Sequence, residues 1–299
     1  MRWLELASRV DGEAVEAVSE VFSRVASGGV VVEPDVSPGS DDGFAVGPLA
    51  TVRAYVPLDP ETAGKQRTVE EALWHLRAIW PVGELTTREV DEEDWANAWK
   101  KHYSVFRIGR RIVIRPSWLD YVASPDDVIV SIDPGVAFGT GLHPTTRRCL
   151  EAIEDALRPG DEVLDVGTGS GILALAAAAL GARRVIATDV DPVAVSAARA
   201  NVARGALADR IQVIEGSATA VAARPEFGVV VANIIARVIL DLAPDLVARL
   251  RPDGVLVVGG IIADRADEVA RELARLGLEA TRLVDGDWSV FVARRSLAS

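Results

Sequence analysis

The residues with the clearest chemical potential form one glycine-rich turn within the sequence VLDVGTGSGIL at positions 163–173. The pattern predicts an apolar strand before the turn and an Ala- and Leu-rich helix after it. Glycines let the backbone approach a ligand closely and present the amides of a helix N-terminus. A dinucleotide motif needs Gly or Ala where Ile172 stands, and a phosphate-binding loop needs Gly-Lys-Ser/Thr, which is missing here. A plain tight turn is the alternative.

Asp165, at the end of the predicted strand, indicates the charge of the ligand. A carboxylate beside the turn repels a pyrophosphate and attracts a cation. S-adenosylmethionine carries a sulfonium and an α-ammonium group and no phosphate. The pattern therefore favours this cofactor over a nucleotide.

Two further strand ends carry polar side chains. Asp189, in the sequence TDVDP, lies near the offset of about 20 residues at which an acid binds ribose hydroxyls. Asp191 precedes Pro192 and is expected to cap the next helix. Asn233 ends the apolar run VVVAN and offers both a carbonyl and an amide to a ligand. The alternative for Asn233 is a helix N-cap.

The segment DPGVAFGTGLHPTT, at positions 133–146, is too specialised in Gly, Pro and Thr to be a spacer. His143 within it is either a base or, the favoured reading, a loop histidine bonded to backbone. Cys149 follows among apolar residues, which predicts a buried, inert thiol.

Regular alternation of strands and helices from residue 144 onward predicts a Rossmann-like, mostly parallel sheet covered on both faces. The expected strands are 162–166, 184–188, 211–214, 229–232 and 255–258, then 279–284 and 288–293. The turn Asp285-Gly286-Asp287 predicts that the last two strands form an antiparallel hairpin.

The first third predicts a ferredoxin-like domain with the order β-α-β-β-α-β. Its expected strands are 3–6, 30–32, 51–56 and 84–90. Its expected helices are 11–27 and one that Thr68 caps, which buries Leu73, Leu76, Ile79 and Trp80. Residues 35–47 are expected to form a loop. We predict domains at 1–88 and 105–299, with a connecting helix within 89–104.

The chain has 299 residues and a net charge of −12, and residues 1–104 alone hold 19 acidic and 10 basic residues. This balance argues against direct nucleic-acid binding and favours a basic partner, although acidic surface can serve solubility alone. One Cys and three His disfavour a disulfide scaffold or a metal site. The longest apolar stretch, 172–180, is far shorter than the ~20 residues of a membrane span. We expect a cytoplasmic, monomeric protein without membrane contact.

Taken together, DPGVAFGTGLHPTT, LDVGTGSGILA, TDVDP and VVANIIA resemble the PrmA family, the methyltransferases of large-subunit ribosomal protein L11. The likeness covers nearly the whole chain. It implies the class I methyltransferase fold and a first domain that recognises the ribosomal protein. It also implies methylation of amino groups of that protein, on lysine side chains and the N-terminal amine. The cofactor contacts that it implies are Thr146, Gly167, Gly169, Asp189 and Asn233.

If the chain is such a methyltransferase, Asn233 is the candidate for orienting the amine of the substrate protein or the cofactor. Two alternatives stay open at the level of sequence. The same fold serves small-molecule and RNA methyltransferases, because fold does not determine substrate. A binding module that uses S-adenosylmethionine without catalysis would carry the same motifs.

Overall fold

The computed structural model describes residues 2–26, 30–38, 44–91, 104–133, 143–205 and 207–296. The chain forms two compact units, Met1–Tyr103 and Ser104–Ser299. Among the helices of these described ranges, none has the length and apolar character that crossing a membrane requires. The predicted connecting helix falls mainly on residues 92–103, outside the described ranges, and stays a prediction.

The first unit has the predicted ferredoxin-like order. Its strands are β1 (Arg2–Asp11), β2 (Val30–Pro38), β3 (Phe44–Pro57) and β4 (Thr86–Asp91), and its helices are α1 (Val15–Ser23) and α2 (Thr62–Leu76). The strands pair antiparallel in the order β2-β3-β1-β4. Strands and helices share one core, in which Leu6, Phe22, Val52 and Leu73 are buried. Period-two alternation in the strands supplies one side of this core and the helices supply the other.

Two local predictions in this unit are wrong. Helix α2 begins at Thr62 instead of after Thr68, because the Thr62 hydroxyl joins the preceding turn by accepting a bond from the Asp59 amide at 2.8 Å. The helix ends at Leu76, so Ile79 leaves the helical face and is 68% exposed instead of buried.

The predicted loop at 35–47 is also partly wrong, since residues 35–38 and 44–47 extend β2 and β3. Their backbones pair, as Val36 with Val46 and Ser37 with Ala45, and the register shifts between Pro34 and Val36. Backbone pairing with a partner strand overrides the local turn propensity of Pro, Gly and Ser here.

The second unit contains the predicted α/β succession. It opens with the small sheet of β5 (Phe106–Ile108), β6 (Ile112–Pro116) and β7 (Val128–Ile132). The strands of its main sheet are β8 (Glu162–Val166), β9 (Arg184–Asp189), β10 (Ile211–Glu215), β11 (Phe227–Asn233), β12 (Leu250–Ile262), β13 (Leu278–Asp285) and β14 (Trp288–Arg295). Its helices are α3 (Pro144–Ala156), α4 (Ile172–Ala179), α5 (Pro192–Arg204), α6 (Ala236–Arg249) and α7 (Ala263–Arg275).

The main sheet of the second unit has the order β10-β9-β8-β11-β12-β14-β13. Strand β14 runs antiparallel to both of its neighbours, which confirms the terminal hairpin. The apolar run of β11 shows why both faces are covered: Val229 and Val231 enter one core, whereas Val230 and Ala232 enter the other. Such two-sided burial is typical of parallel sheets flanked by helices.

The strand order determines where a ligand can bind. From β8 the chain passes to β9 on one side, and β11 pairs with β8 on the other side. A crevice forms outside the carboxyl ends of the strands at such a switch point. Asp165, Asp189 and Asn233 lie at the ends of β8, β9 and β11, so the topology brings them to one edge of the sheet.

Candidate active site

The glycine-rich turn is bonded to the neighbouring strand β9. The amides of Gly167 and Thr168 both donate to the carbonyl oxygen of Thr188, at 2.8 and 2.9 Å. Gly167, Gly169 and Gly171 have positive φ angles of 75°, 56° and 87°. Any residue other than glycine would have a strained backbone at these angles. The glycines are therefore needed for the shape of the turn, and the close approach of a ligand to its backbone stays a prediction.

Asp189 is hydrogen-bonded to the same turn. Its Oδ2 atom accepts a bond from the Gly169 amide at 2.9 Å, and its Oδ1 atom accepts one from the Asp191 amide at 3.0 Å. Asp191 has the predicted capping role, since its Oδ1 accepts from the Val193 amide at 2.8 Å at the start of α5. The structure thus separates the two acids of TDVDP: one contacts the turn and the other caps the helix.

Asp165 is a fully buried acid beneath the turn. Its Oδ2 atom accepts a 2.6 Å bond from the Thr168 hydroxyl, but its Oδ1 atom has no hydrogen-bond partner within the described residues. Burial raises the pKa of this carboxyl to about 7, the Thr168 bond opposes the rise, and the charge of Asp189 adds to it. A cation placed near Oδ1 would stabilise the ionised form.

Asn233 and Thr146 are in direct contact although 87 positions separate them in the chain. Asn233 Nδ2 donates to Thr146 Oγ1 at 3.1 Å, in the first turn of α3. Asn233 Oδ1 is buried and lacks a partner in the described part of the chain. The capping alternative is excluded, because the N-cap of α6 is Ile235. Asn233 therefore offers a fixed amide with one available acceptor.

The close packing around Asn233 depends on Gly259 of β12. A Cβ atom at this position would lie 2.7 Å from Asn233 Oδ1 and 2.7 Å from the sulfur of Cys149. Cys149 is buried, and burial raises the pKa of its thiol, so it is the inert cysteine that the sequence predicted. Glycine at 259 thus leaves room for the Asn233 side chain.

His143 caps helix α3. Its Nδ1 atom accepts from the Thr145 amide at 3.3 Å, which confirms the favoured prediction of a histidine bonded to backbone. Its ring lies edge-on against Trp288, with centroids 4.7 Å apart. Burial lowers the pKa of His143 to about 4, so the ring is neutral at pH 7. The preceding part of the loop motif, residues 134–142, lies outside the described residues.

Sequence reasoning missed Asn201 of α5, whose side chain is 2% exposed and contacts the glycine-rich turn through Ser170. The signal was present: Asn201 continues the helical spacing of the buried residues Ala194 and Ala198. A polar residue on an apolar face needs buried partners, so its position predicts a bonding role.

The perturbed carboxyl of Asp165 makes the stability of the fold depend on pH. Its folded-state pKa lies above the unfolded value, so the folded state binds more protons between about pH 4 and pH 7. The contribution of this group to stability therefore falls as the pH rises through that window. We expect Asp165→Asn to raise the free energy of unfolding relative to the unsubstituted chain by more at pH 8 than at pH 5.

Urea unfolding at both pH values measures this difference. Asp264→Asn, which removes one exposed acid, is the matched control for the loss of a negative charge. Equal gains for Asp165→Asn at the two pH values would contradict the assignment.

Comparisons with known proteins identify the family of this chain. The family described as "Ribosomal protein L11 methyltransferase (PrmA)" matches residues 2–296. A relative of that name from Chloroflexus aurantiacus is 47% identical over 98% of both chains, and one from Herpetosiphon aurantiacus is 42% identical over 99% of both. A crystal structure of a ribosomal protein L11 methylase from Lactobacillus delbrueckii subsp. bulgaricus is 36% identical, with a TM-score of 0.59 over 65% of this chain and 100% of that chain. The chain belongs to the PrmA family of S-adenosylmethionine-dependent methyltransferases.

Proposed function

We propose that this chain transfers methyl groups from S-adenosylmethionine to amino groups of ribosomal protein L11, both on lysine side chains and on the N-terminal amine. The observation that carries the proposal is the match to L11 methyltransferases over residues 2–296, which includes the first unit as well as the cofactor motifs. A transfer assay with radiolabelled cofactor and a mixture of ribosomal proteins and RNA tests it. Label should appear in L11, and label in RNA would contradict the proposal.

The residues at the sheet edge fit the proposed cofactor. Two buried acceptors, Asp165 Oδ1 and Asn233 Oδ1, have no partner among the described residues, so both can receive bonds from a donor group. The carboxylate of Asp189 suits two ribose hydroxyls, because it can accept from both. We assign the backbone of Gly167 and Gly169 to the same site; the absence of a side chain at Gly167 makes room for Ile234, which packs against the turn.

Bound S-adenosylmethionine supplies an electrophilic methyl group on its sulfonium. The work left to the chain is mainly to position the attacking amine in line with that group. Thr146 holds Nδ2 of Asn233, so the available Oδ1 atom can orient an N–H of the amine or of the cofactor. We therefore assign Asn233 an orienting role and Thr146 a supporting one.

The attacking amine must be neutral. A lysine side chain has a pKa near 10.4, so losing its proton at neutral pH costs roughly 4 kcal/mol. His143, with its pKa lowered by burial to about 4, is too weakly basic to take that proton. We assign the proton to water, lost before the amine enters the site, where desolvation favours the neutral form.

The first unit is proposed to recognise L11. The cofactor motifs all lie beyond residue 130, while the acidic excess is concentrated in residues 1–104. A protein that sits on ribosomal RNA must be basic, because binding there depends on neutralising phosphates. Opposite charge on the first unit would speed the encounter with such a protein.

Asp189→Ala should weaken S-adenosylmethionine binding by about 1.5–3 kcal/mol, the usual worth of hydrogen bonds to a charged group. Titration calorimetry on the folded variant measures the change. Asp191→Asn is the matched control, since it alters the neighbouring acid but keeps a capping side chain. Unchanged affinity in folded Asp189→Ala would refute the ribose assignment.

A fragment of residues 104–299 should still bind S-adenosylmethionine but lose methylation of intact L11. The reason is that the second unit contains the whole main sheet and the residues at its carboxyl edge. Calorimetry measures cofactor binding, and radiolabel transfer measures methylation. A folded fragment that methylates L11 at the rate of the full chain would show that the first unit is not the recognition module.

A further inference from the structure

The side chain of Asn201 joins two segments that are distant in sequence. Its Oδ1 atom accepts a bond from the Asp133 amide at 3.0 Å, and its Nδ2 atom donates to the Asp133 carbonyl at 3.3 Å. The same Nδ2 atom donates to the Ser170 carbonyl at 2.9 Å. Asn201 therefore ties the residue that follows β7 to the glycine-rich turn that follows β8.

Arg204 reinforces the same junction from one helical turn further along α5. Its guanidinium donates to Asn201 Oδ1 at 3.0 Å and forms an ion pair with the Asp133 carboxylate at 3.4 Å. Asn201 is almost fully buried and so is its bond to Ser170, whereas the Arg204 side chain is about half exposed. Most of the constraint on Asp133 and Ser170 therefore comes from Asn201.

The glycine-rich turn is thus held from two elements. Asp189, at the end of β9, binds the amide of Gly169, and Asn201, on α5, binds the carbonyl of the next residue, Ser170. Glycines lose more conformational freedom on ordering than other residues. Bonds that order the turn before a ligand arrives reduce the entropy lost on binding and so raise affinity.

We infer that Asn201 is a positioning residue for the cofactor: by fixing the Ser170 and Asp133 backbones it preorganises the turn that receives S-adenosylmethionine. The inference rests on the proposed cofactor site and adds a residue that does not itself contact the ligand. Replacing Asn201 should weaken the binding of the cofactor equally in the ground state and in the transition state. The KM for the cofactor should therefore rise, while kcat at saturation changes little.

A purely structural role makes a different prediction. If Asn201 served only to satisfy buried polar groups, its variants would be less stable, but the folded fraction would bind the cofactor normally. Glu154→Gln provides the matched control. Glu154 is a buried residue whose carboxylate accepts from the amides of Arg110 and Arg111, and no bond connects it to the turn in the described residues.

The test uses the full chain with Asn201→Ala, Asn201→Asp and Glu154→Gln. Asn201→Asp keeps an acceptor for the Asp133 amide but loses both donations to carbonyls. Calorimetry with S-adenosylmethionine should show a Kd about 5- to 50-fold higher for both Asn201 variants, as expected for one or two lost bonds. Glu154→Gln should lose stability and keep the Kd of the unsubstituted chain, and kcat of the Asn201 variants should stay within about twofold.

The outcomes separate this inference from the function on which it rests. Unchanged Kd in folded Asn201 variants, with normal binding by the unsubstituted chain, overturns the inference alone. No binding by the unsubstituted chain overturns the cofactor site as well. If neither Asn201 variant folds, Arg204→Ala decides: a Kd raised about twofold or more supports the positioning role, and an unchanged Kd overturns it.

Discussion

The interaction on which the site depends is the pair of bonds that Gly167 and Thr168 donate to one carbonyl, that of Thr188. These bonds attach the glycine-rich turn to the neighbouring strand and so restrict a segment of high conformational freedom. Glycine adopts the three positive φ angles of the turn without steric strain, and the bonds favour this conformation over the many others open to it. Asp189 and Asn201 then order the two residues that follow, through the Gly169 amide and the Ser170 carbonyl.

Burial of Asp165 follows from the same arrangement. The acid lies near the end of an apolar strand under the turn, where it is fully buried, and its Oδ1 atom lacks a hydrogen-bond partner in the described part of the chain. An unpaired buried carboxylate destabilises the fold, as its raised pKa reflects. Buried polar atoms without a partner are rare in folded proteins, which sets Asp165 apart from the apolar residues of its strand. Asn233 shows the same pattern at the end of β11.

The two units differ in the number of their apolar cores and in their charge. The first is a small sheet with one buried apolar core, and it carries most of the excess negative charge of the chain. The second has cores on both faces of its main sheet and holds the polar residues of the site at one edge. Long apolar strands buried on both sides make that edge rigid, which suits a site that acts chiefly by positioning.

Sequence by itself determined the fold class of both units, because period-two and helical patterns, together with Gly and Pro signals, directly reflect which faces are buried. It also identified the turn, the capping role of Asp191 and the buried state of Cys149, which depend on local sequence. It misjudged the start of α2, where Thr62 bonds to the preceding turn, and the pairing of residues 35–38 with 44–47, where strand pairing overrides the turn propensity of Pro, Gly and Ser. Only the tertiary structure brought Thr146 to Asn233 and Asp133 to Asn201. These contacts join residues 87 and 68 positions apart, and no local pattern encodes which polar groups meet when strands converge at one edge.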